Sequence, residues 1–409
     1  MLCSAASAVI LGYVLNRFLS VNRAVAVGFA VLCAVAPVQL LYERYVLTES
    51  VSLLFFYLYV TAAFFYFQEP KIKTLILLNL AGVFLIAFRL SYLPVVLSGA
   101  VIVPGLSFFK ISGSREKDNA EDRGNRKAFV RRRIISSCLH ILISCLLTYG
   151  LHSAYKITNG RLSDQPPAYQ YRDGYHILAS WAPLLEKEDF ADPKIAGYTQ
   201  QYFYFHLEDR FQRMNHRWSY YGLIGYIHRM YDSSIKTNKI AHDTAMNILY
   251  RDPFGVMKLA WQSYLDYWDT GLLKETLQGD RCTKALPDKL IEILQSHYHI
   301  YGEGLPYQKT LTNQSLLNAI PWFMALFSLP LIIAISIFMD KGRHFIFLAL
   351  LGFFALLILM NSTVLVHRNA MRFFHPDEWI AIILIGVFFD RAMNSRFAQD
   401  TCRKLRIIH

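Results

Sequence analysis

The long hydrophilic middle of this 409-residue chain contains a single cysteine, Cys282, so it cannot close an internal disulfide. Cys3, Cys33, Cys138 and Cys145 fall in apolar runs, and Cys402 lies in the terminal tail. No Cys-x-x-Cys and no His/Cys spacing of a metal site occurs, and His297-x-His299 offers too few ligands for zinc. A series alternating apolar and polar residues is also missing, which argues against a sheet, and no internal repeat stands out. The apolar runs hold almost no ionisable residues, which argues against a transporter or flippase with charge buried in broken spans. The first run lacks a basic flank before it and has Arg17 and Arg23 after it, the reverse of a secretory signal.

Apolar length is what the chain has in abundance: 54% of its residues are hydrophobic and 15% aromatic. Spans read at 1–16, 24–42, 50–67, 74–88, 92–109, 134–152, 316–338, 345–361 and 379–389, the last extending back toward His375. Lipid offers backbone amides no partner outside their own helix, so each span is expected to be helical. The expected fold is an all-α membrane protein of about nine transmembrane helices with a mainly helical extracytosolic domain between the sixth and seventh. Residues 1–152 form an N-terminal bundle, 153–312 the outward domain, and 313–409 a C-terminal bundle with a basic tail.

Charge sets the orientation. The net +12 falls entirely on the connecting segments 17–23, 68–73, 110–133, 339–344 and 390–409, and the segments between them sum to zero. Short loops rich in Lys and Arg stay in the cytoplasm, so 110–133 and the C-terminus are inside and 153–312 outside. The pI near 9.3 is thereby explained by topology, and the neutral outward domain excludes nucleic acid as a partner. The inner loop 110–133 is charged and expected to be mobile, with Arg131, Arg132 and Arg133 pinning the next span to anionic headgroups. The missing disulfide framework points to a bacterial inner membrane rather than an endoplasmic reticulum.

In the outward domain, Asp252-Pro253 starts a helix whose apolar face reads as Phe254, Met257, Leu259, Ala260, Tyr264 and Trp268. A second helix starts near Pro287. Aromatics crowd 198–231, where they build a small core, rest on headgroups or stack on sugar rings.

Three short outward connections carry charge beside apolar spans, where it must be hydrated or paired. They are Leu41 to Ser50 with Glu43, Arg44 and Glu49; Arg89-Leu-Ser91-Tyr92; and His367 to Trp379 with Arg368, Arg372, His375, Asp377 and Glu378. Together they offer carboxylates for acid/base work and arginines for a phosphate, or else form ordinary interfacial charge.

The segment Pro37-Val-Gln-Leu-Leu-Tyr-Glu43-Arg-Tyr-Val-Leu-Thr48-Glu49 resembles the third-to-fourth span region of the C-type glycosyltransferases, the superfamily of protein mannosyltransferases and aminoarabinose transferases. Arg368-Asn-Ala-Met-Arg372-Phe-Phe-His375-Pro376 is similar to an Arg-Tyr-x-x-Pro element those proteins carry before a late span. The resemblance implies an inverting transfer from a polyprenyl-phosphate sugar to a glycan, lipid or protein acceptor outside the cytoplasm, with membrane lipids around it. It implies a carboxylate role for Glu49 and donor-phosphate binding by Arg372 with Arg89; Glu43, Arg368 and His375 join them by location. A divalent metal on an acidic residue of the first outward loop is the one cofactor it leaves open. The family's first span and that loop have no counterpart here, so a segment of about 60–90 residues is expected upstream of Met1, or else the copy lacks its base. A glycan ligase or polymerase using Arg210, Arg213 and Arg217, a lipid transporter or flippase, and a non-catalytic membrane scaffold remain as alternative readings.

Overall fold

The computed structural model describes residues 2–35, 49–113, 123–199, 220, 222–231, 233–266, 288–297, 299, 352, 357 and 371–394. Its elements are α1 (Leu2–Tyr13), α2 (Arg23–Ala34), α3 (Glu49–Gln68), α4 (Ile72–Phe88), α5 (Leu93–Gly113), α6 (Arg123–Ser163), α7 (Asp173–Trp181), α8 (Pro193–Thr199), α9 (Leu223–Met230), α10 (Ser234–Arg251), α11 (Pro253–Asp266), α12 (Asp288–Ser296) and α13 (Met371–Met393). Among the described residues the chain is all-helical, without a strand.

Helices α1–α6 and α13 form an apolar bundle. A π-turn, Val14–Phe18, extends α1, after which Ser20 adopts φ 54° and Asn22 caps α2 by accepting the Ala24 N–H at 2.9 Å. α3, α4 and α5 pack in sequence, and α6 lies against α4 and α5. Gly82 of α4 makes this packing close, because a Cβ there would stand 2.7 Å from Val96 Cγ1 and 3.3 Å from Tyr59 Cε2. The core between them is rich in aromatics, with Phe56, Tyr57, Phe64, Tyr66 and Tyr92 fully buried. Polar contacts tie the helices across this core. Asn79 donates to Ser144 Oγ at 3.2 Å and accepts from Thr148 Oγ1 at 2.5 Å, and the Tyr66 hydroxyl meets His140 Nδ1 at 2.6 Å. Such side chains join helices where no water competes for their hydrogen bonds.

Among the described residues two helices are long and apolar enough to cross a membrane, Val51–Gln68 and Ile134–Ser163; Leu2–Phe18, Arg23–Ala34, Ile72–Phe88 and Leu90–Leu106 are shorter apolar helices. α6 turns an apolar side outward: Leu146 is 62% and Tyr149 76% exposed. The helices over 2–18, 49–68, 72–88, 93–113 and 123–163 coincide with five expected spans. The expected span 24–42 is helical through Ala34, and the spans 316–338 and 345–361 lie outside the described residues apart from helical Gly352 and Leu357.

Two boundaries differ from those expected from the sequence. Residues 110–113 and 123–133, expected as loop, are helical, because Arg and Lys are good helix formers and an apolar span supplies the nucleus from which they extend. α6 also runs past 152 to Ser163. Its 41 residues measure about 60 Å, some 30 Å more than a hydrocarbon core requires.

Helices α7–α11 build a second core from Leu178, Trp181, Ile195, Ile224, Ile227, Ala241, Ala245, Ile248 and Val256. α7 crosses α10 at Gly174, where a Cβ would meet Asn238 O at 2.2 Å and His242 N at 2.7 Å. Asp252 closes α10 and opens α11: its N–H donates to Ile248 O at 2.8 Å and its carboxylate accepts the Gly255 N–H at 2.7 Å. The apolar face of α11 agrees with the expected one at Leu259, Ala260 and Tyr264 and differs at Phe254 and Met257, while Trp268 lies outside the described residues. Val256, Leu259, Ala260, Ser263 and Tyr264 are buried, whereas Phe254 and Met257 face outward. Both sides of the helix are apolar, so periodicity alone does not choose between them.

Candidate functional site at one end of the helix bundle

Ring and hydrogen-bond contacts fix which helix ends lie together. Phe18, at the end of α1, packs its ring 5.2 Å from Phe64 and 4.9 Å from Phe65, near the end of α3. The Asn22 N–H donates to Asp390 Oδ1 at 2.9 Å, which brings the end of α13 to the turn between α1 and α2. Phe29 faces Phe389 at 6.1 Å in the same layer. The connections 17–22 and 69–71 and the last turn of α13 therefore share one end of the bundle, and these belong to the segments that carry the basic excess. Tyr66 meeting His140 sets the direction of α6, which begins at the basic end and leaves at the opposite one.

Four of the expected site positions, Glu49, Arg89, Arg372 and His375, lie on helices that lead away from the basic end. From Lys71 to Arg89, α4 rises about 27 Å at ~1.5 Å per residue; α3 covers about 28 Å back from Gln68 to Glu49, and α13 about 27 Å back from Asp390 to Arg372. Glu49, Arg89 and Arg372 thus lie at similar distances along their own helices from the basic end, with His375 one turn nearer to it than Arg372. The sequence places Arg372 and His375 in a loop before the last span, whereas both lie inside α13. Pro376 in the same helix has no N–H to give the Arg372 carbonyl. Glu43, Arg368 and the arginines Arg210, Arg213 and Arg217 lie outside the described residues.

Arg89 is the best-defined member. It caps α4 in extended conformation, its N–H donating to Leu85 O at 3.0 Å while its carbonyl accepts the Tyr92 N–H at 3.2 Å. Its guanidinium carbon stands 6.0 Å from the Tyr92 ring centre, and the buried Tyr92 ring stacks on Phe56 at 5.3 Å. Arg89 is half-buried, which strengthens its attraction for an anion relative to a charge in open water.

A second group at this end is not evident in the sequence. α6 ends in a Schellman turn: Asp164 takes φ 52° and the Gln165 N–H donates to Gly160 O at 2.9 Å. The chain then folds back, held by Asn159 Nδ2 donating to Ala168 O at 2.8 Å and Tyr169 O at 3.2 Å. Tyr169 lands against the bundle core with its hydroxyl 2.5 Å from His152 Nδ1; Tyr155 stacks on its ring at 6.0 Å, and Lys156 Nζ sits 4.3 Å from the ring centre. His152 is 5% exposed, and its Nε2 is buried with no protein hydrogen-bond partner among the described residues. Whichever of His152 Nδ1 and the Tyr169 hydroxyl holds the shared proton, Nε2 keeps hydrogen-bonding capacity for another group. A histidine closing an apolar run is the one visible signal; its partner lies seventeen residues on and arrives only through the turn at Asp164.

Among the described residues no group of three or more His, Cys, Asp or Glu side chains converges as metal ligands. Comparison with family models, with curated proteins and with solved structures finds no match.

Proposed function

We propose that this chain is a multi-pass integral membrane glycosyltransferase that transfers a sugar from a polyprenyl-phosphate donor to an extracytosolic glycan, lipid or protein acceptor. The basic end then faces the cytoplasm, and residues 153–312 face outward, as in a bacterial inner membrane. The observation that supports the reading is that Glu49, Arg89 and Arg372 each lie about 27 Å along their own helix from the basic end, close to the ~30 Å of a hydrocarbon core. A carboxylate and two guanidinium groups beside lipid suit a substrate whose isoprenoid lies in the bilayer and whose phosphate stands at its surface.

In the proposed reaction Arg372 and Arg89 bind the donor phosphate, each offering a planar fork that stays charged. The acceptor oxygen attacks the anomeric carbon on the face opposite the phosphate and loses its proton to Glu49, which takes the part the resemblance gives to an acidic residue of the first outward loop. The bond from the anomeric carbon to the phosphate oxygen breaks, polyprenyl phosphate leaves with the electron pair, and the anomeric configuration inverts. Glu43, Arg368 and His375 flank these positions in sequence as additional candidates. No step in this mechanism runs through a metal ion.

Purified chain in liposomes with a radiolabelled polyprenyl-phosphate sugar should yield labelled acceptor. Glu49→Gln should lower kcat at least ~10²-fold, the contribution of a positioned general base. Arg372→Ala should lower kcat/KM by a factor of ~10–100, the equivalent of a charge-assisted hydrogen bond of about 1.5–3 kcal/mol. Unchanged transfer in both variants, or none from any polyprenyl-phosphate donor by the parent chain, would overturn the reading.

A further inference from the structure

α11 is apolar on two opposite sides. Its buried side gives Val256 and Leu259 to the core of the α7–α11 unit and Tyr264 to the core of the bundle. Turned away from these, Phe254, Met257, Trp261 and Leu265 are 78%, 61%, 60% and 47% exposed. At about 100° per residue they form a stripe roughly 80° wide. Lys258 and Gln262 border it, and the exposed side of the helix carries no acidic residue. A helix on the surface of a water-soluble unit hides one stripe and gives water the other. Four large apolar side chains in line on the second side need a second cover.

We propose that this cover is the outer leaflet of the bilayer, with α11 lying in the headgroup region and Phe254, Met257, Trp261 and Leu265 reaching the acyl boundary. The inference rests on the reading that the bundle spans a membrane. Continuity with the bundle selects lipid as the occupant. Tyr264 is buried in the bundle core and stacks on Trp261 at 5.2 Å with the rings 21° apart, so the stripe adjoins the bundle. Chemistry agrees: Trp and Phe with an adjoining Lys are what an interfacial helix presents, the rings at headgroup depth and the ammonium reaching a phosphate. The α7–α11 unit is then held down on the membrane surface.

Trp261 supplies the test. The full chain and its Trp261→Phe variant are reconstituted in vesicles of phosphatidylcholine brominated near the headgroup end of the acyl chains, and their emission difference reports Trp261. With the ring at a depth of ~5–10 Å into the headgroup and acyl boundary, bromination should remove roughly half or more of that difference, and aqueous iodide little of it. Quenching by iodide but not by bromine would place the stripe in water and overturn the inference. Quenching by neither would mean that protein covers the stripe, and would overturn the inference equally. Recovery of the chain in the aqueous fraction, extractable from membranes by high salt, would overturn the membrane reading as well, whereas the two quenching failures leave that reading standing.

Discussion

Single residues hold the α7–α11 unit together through hydrogen bonds of unequal weight. Arg251 grips Asp189 with two nitrogens, each at 2.8 Å, and Glu186 with a third at 2.9 Å, while Asp189 is 2% exposed. This fork, together with the Glu186 N–H that donates to Asp189 Oδ2 at 2.8 Å, satisfies the buried carboxylate. Tyr231 donates its hydroxyl proton to Asp192, which also caps α8 by accepting the Lys194 N–H at 2.9 Å. The two titrations run in opposite directions. The hydrogen bond from Tyr231 holds the Asp192 carboxyl below the usual carboxylate value. Burial, then the bond to Asp192, pushes the Tyr231 phenol up to about 12. Below the ordinary phenol value near 10, Tyr231 is protonated in folded and unfolded chains alike and its contribution is complete. Above that value the unfolded chain loses the proton first, so stability falls until the folded phenol ionises near 12. Thermal unfolding followed from about pH 9 to about pH 12 should therefore show a declining midpoint, with a shallower decline in Tyr231→Phe. Equal slopes in the two proteins would remove Tyr231 from the account.

At the scale of elements, glycine marks where helices come closest. Gly174 faces backbone atoms of α10 at distances no Cβ tolerates, and backbone cannot swing aside as a side chain would. Gly174→Ala should force α7 from α10 and destabilise the unit by about 1–3 kcal/mol, as overpacking does. Limited proteolysis should then cut the α7–α11 unit faster while the bundle fragment survives; an unchanged cleavage rate would show that the crossing relaxes freely. This crossing is not legible in the sequence, because a glycine at the start of a helix looks the same whether it faces water or a neighbour. The bundle helices are legible, since length and apolarity alone demand them. α11 illustrates the boundary between the two cases. Its pattern of apolar residues identifies a helix, but one side answers to Val256 and Leu259 and the other to whatever lies outside, and only tertiary packing separates them. The pair His152 and Tyr169 is hidden for a different reason, because a Schellman turn rather than a periodic pattern brings the two together.

For the whole molecule, charge and geometry give separate accounts of the same two ends. The sequence places its basic excess on alternate connections, a pattern that says nothing about which helices touch. The contacts Phe18 to Phe64 and Asn22 to Asp390 involve residues far apart in the chain and owe nothing to net charge. Both gather 17–23, 68–73 and 390–393 at one end, and both send Glu49, Arg89 and the end of α6 to the other. A membrane would make this segregation a difference between compartments. In a background with all six cysteines replaced by serine, Arg17→Cys and Asn394→Cys should react with a membrane-impermeant maleimide only after the membrane is opened. Glu188→Cys, on the exposed surface of the α7–α11 unit, should react in intact cells. Reaction of all three from the same side would break the link between helix ends and compartments, and with it the placement of Glu49, Arg89 and Arg372 at an outward-facing site. Exchange of the two patterns would keep the bundle but turn that site toward the cytoplasm, where the acceptor would have to be sought instead.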